Sequence, residues 1–311
     1  MGKIIAVANQ KGGVGKTTTA INLSACLAFF GKETLLIDID SQANATSGLG
    51  INKNEVTHSI YDVLIEEIAI EEVVMRTEID WLDIIPSNID LIGAEVELVT
   101  AISRESRLKK ALEKVSAVYD YIVIDCPPSL GLLTINALTA ADAVIIPIQC
   151  EYYALEGLGQ LLNTMELIKN NLNPNLHLQG IVLTMYDKRV NLSAQVIDEV
   201  RKHFKEQVFS ISIPRNVKLS EAPGFGKPII TYDRNSTGAL AYMSLAKEFI
   251  CREEGEEPRS EEPPKEPEHI EQPEAPVNKR EEEPKNEETQ KPPDIIEQPE
   301  TMISKEELHT S

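Results

Sequence analysis

The chain has 311 residues with 50 acidic and 30 basic side chains, enough for one large α/β domain or two ordinary ones and too many for a miniprotein. Residues 252–311 hold 20 acidic and 8 basic side chains and 10 of the 18 prolines, a composition that cannot bury enough apolar surface to offset the entropy of ordering it. One globular domain, residues 1–251, followed by an acidic, proline-rich disordered tail, residues 252–311, is therefore expected.

Taken in chain order, short apolar runs alternate with segments of helical spacing. The strand candidates are 3–9, 34–39, 81–86, 121–125, 143–149, 179–184 and 208–213; the helix candidates are 17–30, 91–115, 155–170, 193–204 and 238–250. Several strands are apolar on both faces, as happens where helices cover both sides of a parallel sheet. The alternation predicts an α/β fold: a doubly wound, mostly parallel sheet with functional loops at the carboxyl ends of its strands. The tail carries one echo, Ile-Glu-Gln-Pro-Glu at 270–274 and again at 296–300, which in a biased segment usually means slippage or drift, with a linear docking motif as the alternative.

Cys26, Cys126, Cys150 and Cys251 lie far apart with no Cys-x-x-Cys pair, so neither a disulfide framework nor a zinc site is indicated. The opening, Met1 to Val7, passes directly into an apolar strand without a leader pattern, and no apolar run is long enough to span a bilayer. A cytoplasmic protein is expected.

The most informative string is Gln10-Lys11-Gly12-Gly13-Val14-Gly15-Lys16-Thr17-Thr18, between a strand and a helix. Its glycines let several amides converge on one anion, and the helix beginning near Gly15 adds the positive end of its dipole. Lys16 would reach terminal phosphates, and the Thr17 hydroxyl would bind the magnesium that bridges them. The first glycine of the usual P-loop pattern is replaced by Gln10, and Lys11 follows it as a second cation. Asp125 ends an apolar strand where a carboxylate can hold a magnesium-bound water. Asp38 and Asp40 sit two residues apart at the end of the second strand, on one side if extended.

With this deviant Walker A form the chain resembles the ParA/MinD group of ATPases, specifically the chromosomal ParA or Soj type. The resemblance continues through Leu36-Ile-Asp-Ile-Asp-Ser-Gln-Ala-Asn44, Ile124-Asp-Cys-Pro-Pro-Ser129, Glu151-Tyr-Tyr-Ala-Leu-Glu-Gly157 and Ile213-Pro-Arg-Asn-Val-Lys-Leu-Ser-Glu-Ala-Pro223, covering about residues 1–250. It implies that ATP and Mg2+ are the cofactors and that Asp40 activates the attacking water while Asp38 supports the magnesium shell. Lys11 would cross a nucleotide-sandwiched homodimer to the partner's phosphates, and Pro214 and Asn216 would contact adenine. It also implies segregation of a chromosome or plasmid: an ATP-bound dimer coats double-stranded DNA nonspecifically on the nucleoid, and a ParB/Spo0J-type partner stimulates hydrolysis.

Alternatives within the group are weighed by composition. An electron-delivering relative needs matched cysteines around a cluster, which are missing. A MinD-like relative, which positions the division site at a membrane, needs a basic amphipathic carboxyl-terminal helix, and this tail is acidic and broken by prolines. A nucleotide-switched regulatory binding protein remains the alternative of a different class. Residues 184–251 carry 10 basic and 7 acidic side chains, against 12 and 23 in residues 1–183. Lys188, Arg189, Lys202, Arg215 and Lys218 are thus the candidate DNA-contacting residues, with Arg189 at the family's position for this role. Only ten residues precede Lys11, so a sequence-reading helix-turn-helix is not expected ahead of the P-loop.

Overall fold

Seven aliphatic-rich runs and a two-residue edge strand form one sheet, because Ile, Val and Leu side chains pack well on a pleated surface covered on both faces. In the computed structural model, residues 2–151, 154–187 and 189–255 are described. Tyr152, Tyr153, Lys188 and the tail beyond Gly255, with its repeated string, lie outside the described residues.

The strands are β1 (Lys3–Val7), β2 (Thr34–Asp38), β3 (Met75–Arg76), β4 (Leu82–Ile85), β5 (Tyr121–Asp125), β6 (Ala143–Gln149), β7 (His177–Tyr186) and β8 (Val208–Pro214). Their order is β3-β4-β2-β5-β1-β6-β7-β8. All pairings are parallel except β3 with β4, so the carboxyl ends of seven strands share one edge. The helices are α1 (Lys16–Phe29), α2 (Asn44–Gly48), α3 (Ile70–Val73), α4 (Leu91–Glu97), α5 (Arg107–Leu112), α6 (Leu132–Ala140), α7 (Ala154–Asn171), α8 (Asn191–Phe204), α9 (Val217–Glu221), α10 (Ile229–Tyr232) and α11 (Thr237–Glu254). One face of the sheet packs against α1, α2 and α9 to α11, and the other against α3 to α8. Alternate residues of β1 divide accordingly: Ile5 and Val7 join the first core and Ala6 the second, as does Ala8 just beyond the strand.

The expected strands all form, with boundaries moved by a few residues. The largest departure is the segment 91–115, expected as one helix. It is divided into α4, a 3₁₀ turn at Leu98–Thr100, a polar turn and α5. Ser103 sits at φ 52°, and the buried Asn136 amide from α6 satisfies the turn, donating to Arg104 O at 2.7 Å and accepting from Leu108 N at 3.2 Å. At the other end of the domain, α11 continues past the expected boundary at Cys251. The Arg252 guanidinium donates to Val208 O at 3.0 Å and pairs with Glu248 at 2.7 Å.

Candidate nucleotide site and nucleic-acid face

The nucleotide site starts from β1, which stops at Val7 so that the chain can turn over the sheet edge into α1. Gly13 and Gly15 adopt φ of 74° and 89°, a region that costs a side chain energy and glycine almost none. Gly15 is the residue before α1, whose first turn has no side-chain cap, so its amides are left for an anion. Thr184, near the end of β7, holds the loop from beneath: its hydroxyl donates to Val14 O at 2.8 Å in a buried contact. The buried Lys16 ammonium bends back and donates to Lys11 O at 3.0 Å. Burial lowers the Lys16 pKa, while Asp125 and Asp40 resist the change by Coulomb attraction.

Three aspartates converge below this loop. Asp38 and Asp125 are register partners at the ends of adjacent parallel strands, and Val7 is the partner of Asp125 on its other side. Asp125 is fully buried, and neither of its carboxylate oxygens has a hydrogen-bond partner. Burial and then the Asp38 charge push its pKa well above the usual carboxylate range; the Thr17 hydroxyl and Lys16 ammonium oppose the shift without supplying a hydrogen bond of normal geometry. Asp38 is better satisfied, accepting from Thr46 N and Thr46 Oγ1, both at 2.8 Å, and from Asp40 N at 3.2 Å. Burial nevertheless pushes Asp38 up to about 6. Asp40, also buried, accepts from Gln42 N at 3.0 Å.

An orphaned buried carboxylate beside a threonine hydroxyl and a lysine fits a divalent cation and the phosphates it accompanies. Among the described residues no group of three or more His, Cys, Asp or Glu side chains forms a metal cage. Magnesium retains waters and substrate phosphates and takes few protein ligands, so Thr17 and Asp125 would be enough to hold it.

Lys11 points elsewhere. Its ammonium pairs with Glu151 Oε2 at 3.1 Å, while Gln149 donates to the other Glu151 oxygen at 2.5 Å. Its backbone amide donates to Asn9 Oδ1 at 3.0 Å. Pro214 closes β8, and Asn216 caps α9: Oδ1 accepts from Lys218 N at 2.8 Å and Leu219 N at 3.3 Å, and Nδ2 donates to Thr237 Oγ1 at 2.7 Å. Both polar ends of Asn216 are thus engaged within the chain, and a base edge would have to share or replace these contacts.

The basic candidates separate into two groups. Arg189 follows β7, and Arg215 follows β8 with its amide on Tyr186 O at 2.9 Å, so these two meet at the sheet edge that carries the P-loop. Arg189 is 83 % exposed and forked onto Asp187, at 2.9 and 2.7 Å; this contact, with Arg215 nearby, drives the Asp187 pKa down. Lys218 pairs with Glu221 at 3.2 Å and lies 5.6 Å from the centre of the Tyr232 ring. Lys202 stands in the last turn of α8, eleven residues and about 16 Å along the helix from its start, toward the opposite edge. Lys188 is outside the described residues.

Thr46, Thr184 and Glu151 are contributors that sequence reasoning did not single out. Each acts on a site residue from another strand or helix, so no local spacing marks it.

The family described as "AAA domain" matches residues 2–178. The chain is 62 % identical over 251 residues to the sporulation initiation inhibitor protein Soj of Bacillus subtilis (strain 168), covering 81 % of this chain and 99 % of that protein. It is 56 % identical over 259 residues to the chromosome partitioning protein ParA of Myxococcus xanthus (strain DK1622), covering 83 % and 92 %. Among solved structures, a cobyrinic acid a,c-diamide synthase from Mycobacterium smegmatis with bound ADP and magnesium superposes with a TM-score of 0.72 at 38 % identity, covering 82 % of this chain and 96 % of that one. A Borrelia burgdorferi B31 protein described as a plasmid partition protein, bound to AMPPNP, gives 0.69 at 30 % identity, covering 81 % and 100 %. With a deviant P-loop, three aspartates beneath it and this degree of likeness along the whole sheet, the chain belongs to the ParA/Soj family of chromosome-partitioning ATPases.

Proposed function

We propose that this chain binds and hydrolyses MgATP at the P-loop, that ATP joins two copies face to face, and that the dimer holds DNA nonspecifically until a ParB/Spo0J-type partner triggers hydrolysis. The observation that carries the reading is the buried, unpartnered Asp125 carboxylate beside Lys16 and Thr17. A folded protein bears that cost where a bound group compensates it.

In this reading the Gly12 to Thr18 amides and the Lys16 ammonium cradle the phosphates, with Lys16 exchanging Lys11 O for phosphate oxygen. Thr17 and Asp125 hold the magnesium, with the remaining acceptor capacity of Asp38 behind them; when bound, the ion neutralises charge that develops on the phosphates. Asp40 orients the water. Lys11 leaves Glu151 to serve the partner's nucleotide, at a cost below about 1 kcal/mol for so exposed a pair. Pro214 and Asn216 border the base. The nucleoid is the expected location; among the described residues no helix is long and apolar enough to cross a membrane.

The test is phosphate release with and without Mg2+, with sedimentation in parallel. Lys16→Ala is expected to reduce turnover by about 100-fold or more, the scale for removing a preorganised charge partner. Parental turnover in Lys16→Ala would overturn the assignment.

A further inference from the structure

A second feature lies on the outer surface of α4. Leu91, Ala94 and Leu98 are buried in the core, whereas Ile89, Ile92, Val96, Val99 and Ile102 are between 55 % and 88 % exposed. Their spacing of three and four residues places Ile92, Val96 and Val99 along one stripe of α4 and its 3₁₀ extension, with Ile89 and Ile102 at its ends. Isolated surface aliphatics are ordinary, but a row of five is not.

The flanks are acidic. On one side Tyr61 donates to Glu97 at 3.1 Å, and the charges of Glu97, Glu66 and Asp90 together raise the Tyr61 pKa, after the effect of desolvation. On the other side Glu95 reaches the turn before α6, where a Cβ on Gly131 would collide with its carboxylate. The nearby cations are already engaged: Arg107 with Glu67 and Leu64 O, and Arg104 with Glu105 and Val99 O.

We propose that the stripe Ile89, Ile92, Val96, Val99 and Ile102 is a docking surface for a basic amphipathic helix of another protein. Apolar anchors at i, i+3/i+4 and i+7 would lie along the row, and Lys or Arg on either side would meet Glu95, Glu97 and Asp90. Charge selects this occupant. A second copy would set the same glutamates against each other across a two-fold axis, and the chain's own tail, with 20 acidic and 8 basic residues, has the wrong sign. The inference does not rest on the nucleotide reading, and its test reads binding alone.

The probe is a labelled 18-residue Leu/Lys peptide with Leu at helical i, i+3, i+4 and i+7 spacing, compared with a Leu/Glu peptide of the same pattern and a scrambled Leu/Lys peptide. Full-length protein without nucleotide is titrated by fluorescence anisotropy, and the footprint is read by amide hydrogen exchange. Ile92→Ser with Val96→Ser, both at exposed positions, is expected to weaken Leu/Lys binding at least tenfold, and Glu95→Gln with Glu97→Gln several-fold. Protection is expected over residues 89–102, with neither control peptide bound. Equal binding by parent and double serine variant, equal binding of the scrambled peptide, or protection confined to other segments would overturn the proposal. So would a concentration-dependent dimer of the parent that the serine variant abolishes, which would make the stripe a contact between copies.

Discussion

At the residue scale, the site stores unfavourable energy in Asp125. Its folded-state pKa is raised, so its contribution to stability is greatest below the ordinary carboxylate pKa and is lost as pH rises toward neutrality. Asp125→Asn, close in shape and uncharged, should therefore raise the melting temperature in EDTA at pH 7 to 8, with the gain shrinking toward pH 4. Each kcal/mol recovered moves the midpoint by about 2–4 °C in a domain of this size. The same variant should lose magnesium-dependent turnover, separating stability from function. Calorimetry across pH checks the first outcome; an unchanged or lower midpoint at pH 8 would contradict the reading of Asp125 as a buried charge. For Asp40→Ala we expect ATP to accumulate a dimer, since phosphate contacts survive while water activation is lost. Lys11→Ala should instead sediment with less dimer, and a monomeric Asp40→Ala protein under saturating MgATP would remove the sandwich from the account.

At the element scale, seven of the eight strands were legible; the helices were less so, with 91–115 expected as one helix and the shorter α2, α3, α6, α9 and α10 not foreseen. Runs such as Tyr121–Asp125 and Ala143–Gln149 carry their own signal, because both faces are buried and aliphatic. The segment 91–115 keeps helical spacing throughout, and what interrupts it is Asn136, which lies on α6 and supplies the turn's hydrogen bonds from a distance. The two-residue β3 and the five-residue α2 are likewise too short to leave a periodic trace. The P-loop was legible because its chemistry is local, whereas the Thr184 prop, the Thr46 clamp on Asp38 and the Glu151 partner of Lys11 arrive from other elements. Asn136→Ala should cost about 1–3 kcal/mol in urea unfolding, the range for leaving buried backbone groups unpaired, with nucleotide affinity little changed. A loss below about 0.5 kcal/mol would mean that water replaces the amide.

At the scale of the whole molecule, parallel strands gather Arg189 and Arg215 at the edge that carries the P-loop and send Lys202 toward the other. If the first pair grips phosphates, Arg189→Glu should abolish duplex retention with ATP while Lys202→Glu leaves it nearly intact, and parental binding should fall steeply with salt whatever the sequence. Asp187→Asn should tighten binding, because it removes an opposing charge and frees the Arg189 fork. Filter binding across a salt series checks all three; equal losses from Arg189→Glu and Lys202→Glu would spread the footprint over both edges.

The parallel arrangement has a practical consequence for where the molecule can be handled. Lys3, at the start of β1, pairs with Glu253 in the last turn of α11 at 3.1 Å, and Lys32 just before β2 pairs with Glu254. Gly255, which ends α11, therefore lies at the pole opposite the phosphate loop. A fluorescent reporter or an immobilising tag put in place of the residues after Gly255 would leave the nucleotide edge clear, and tethered molecules would present that edge outward to whatever flows past.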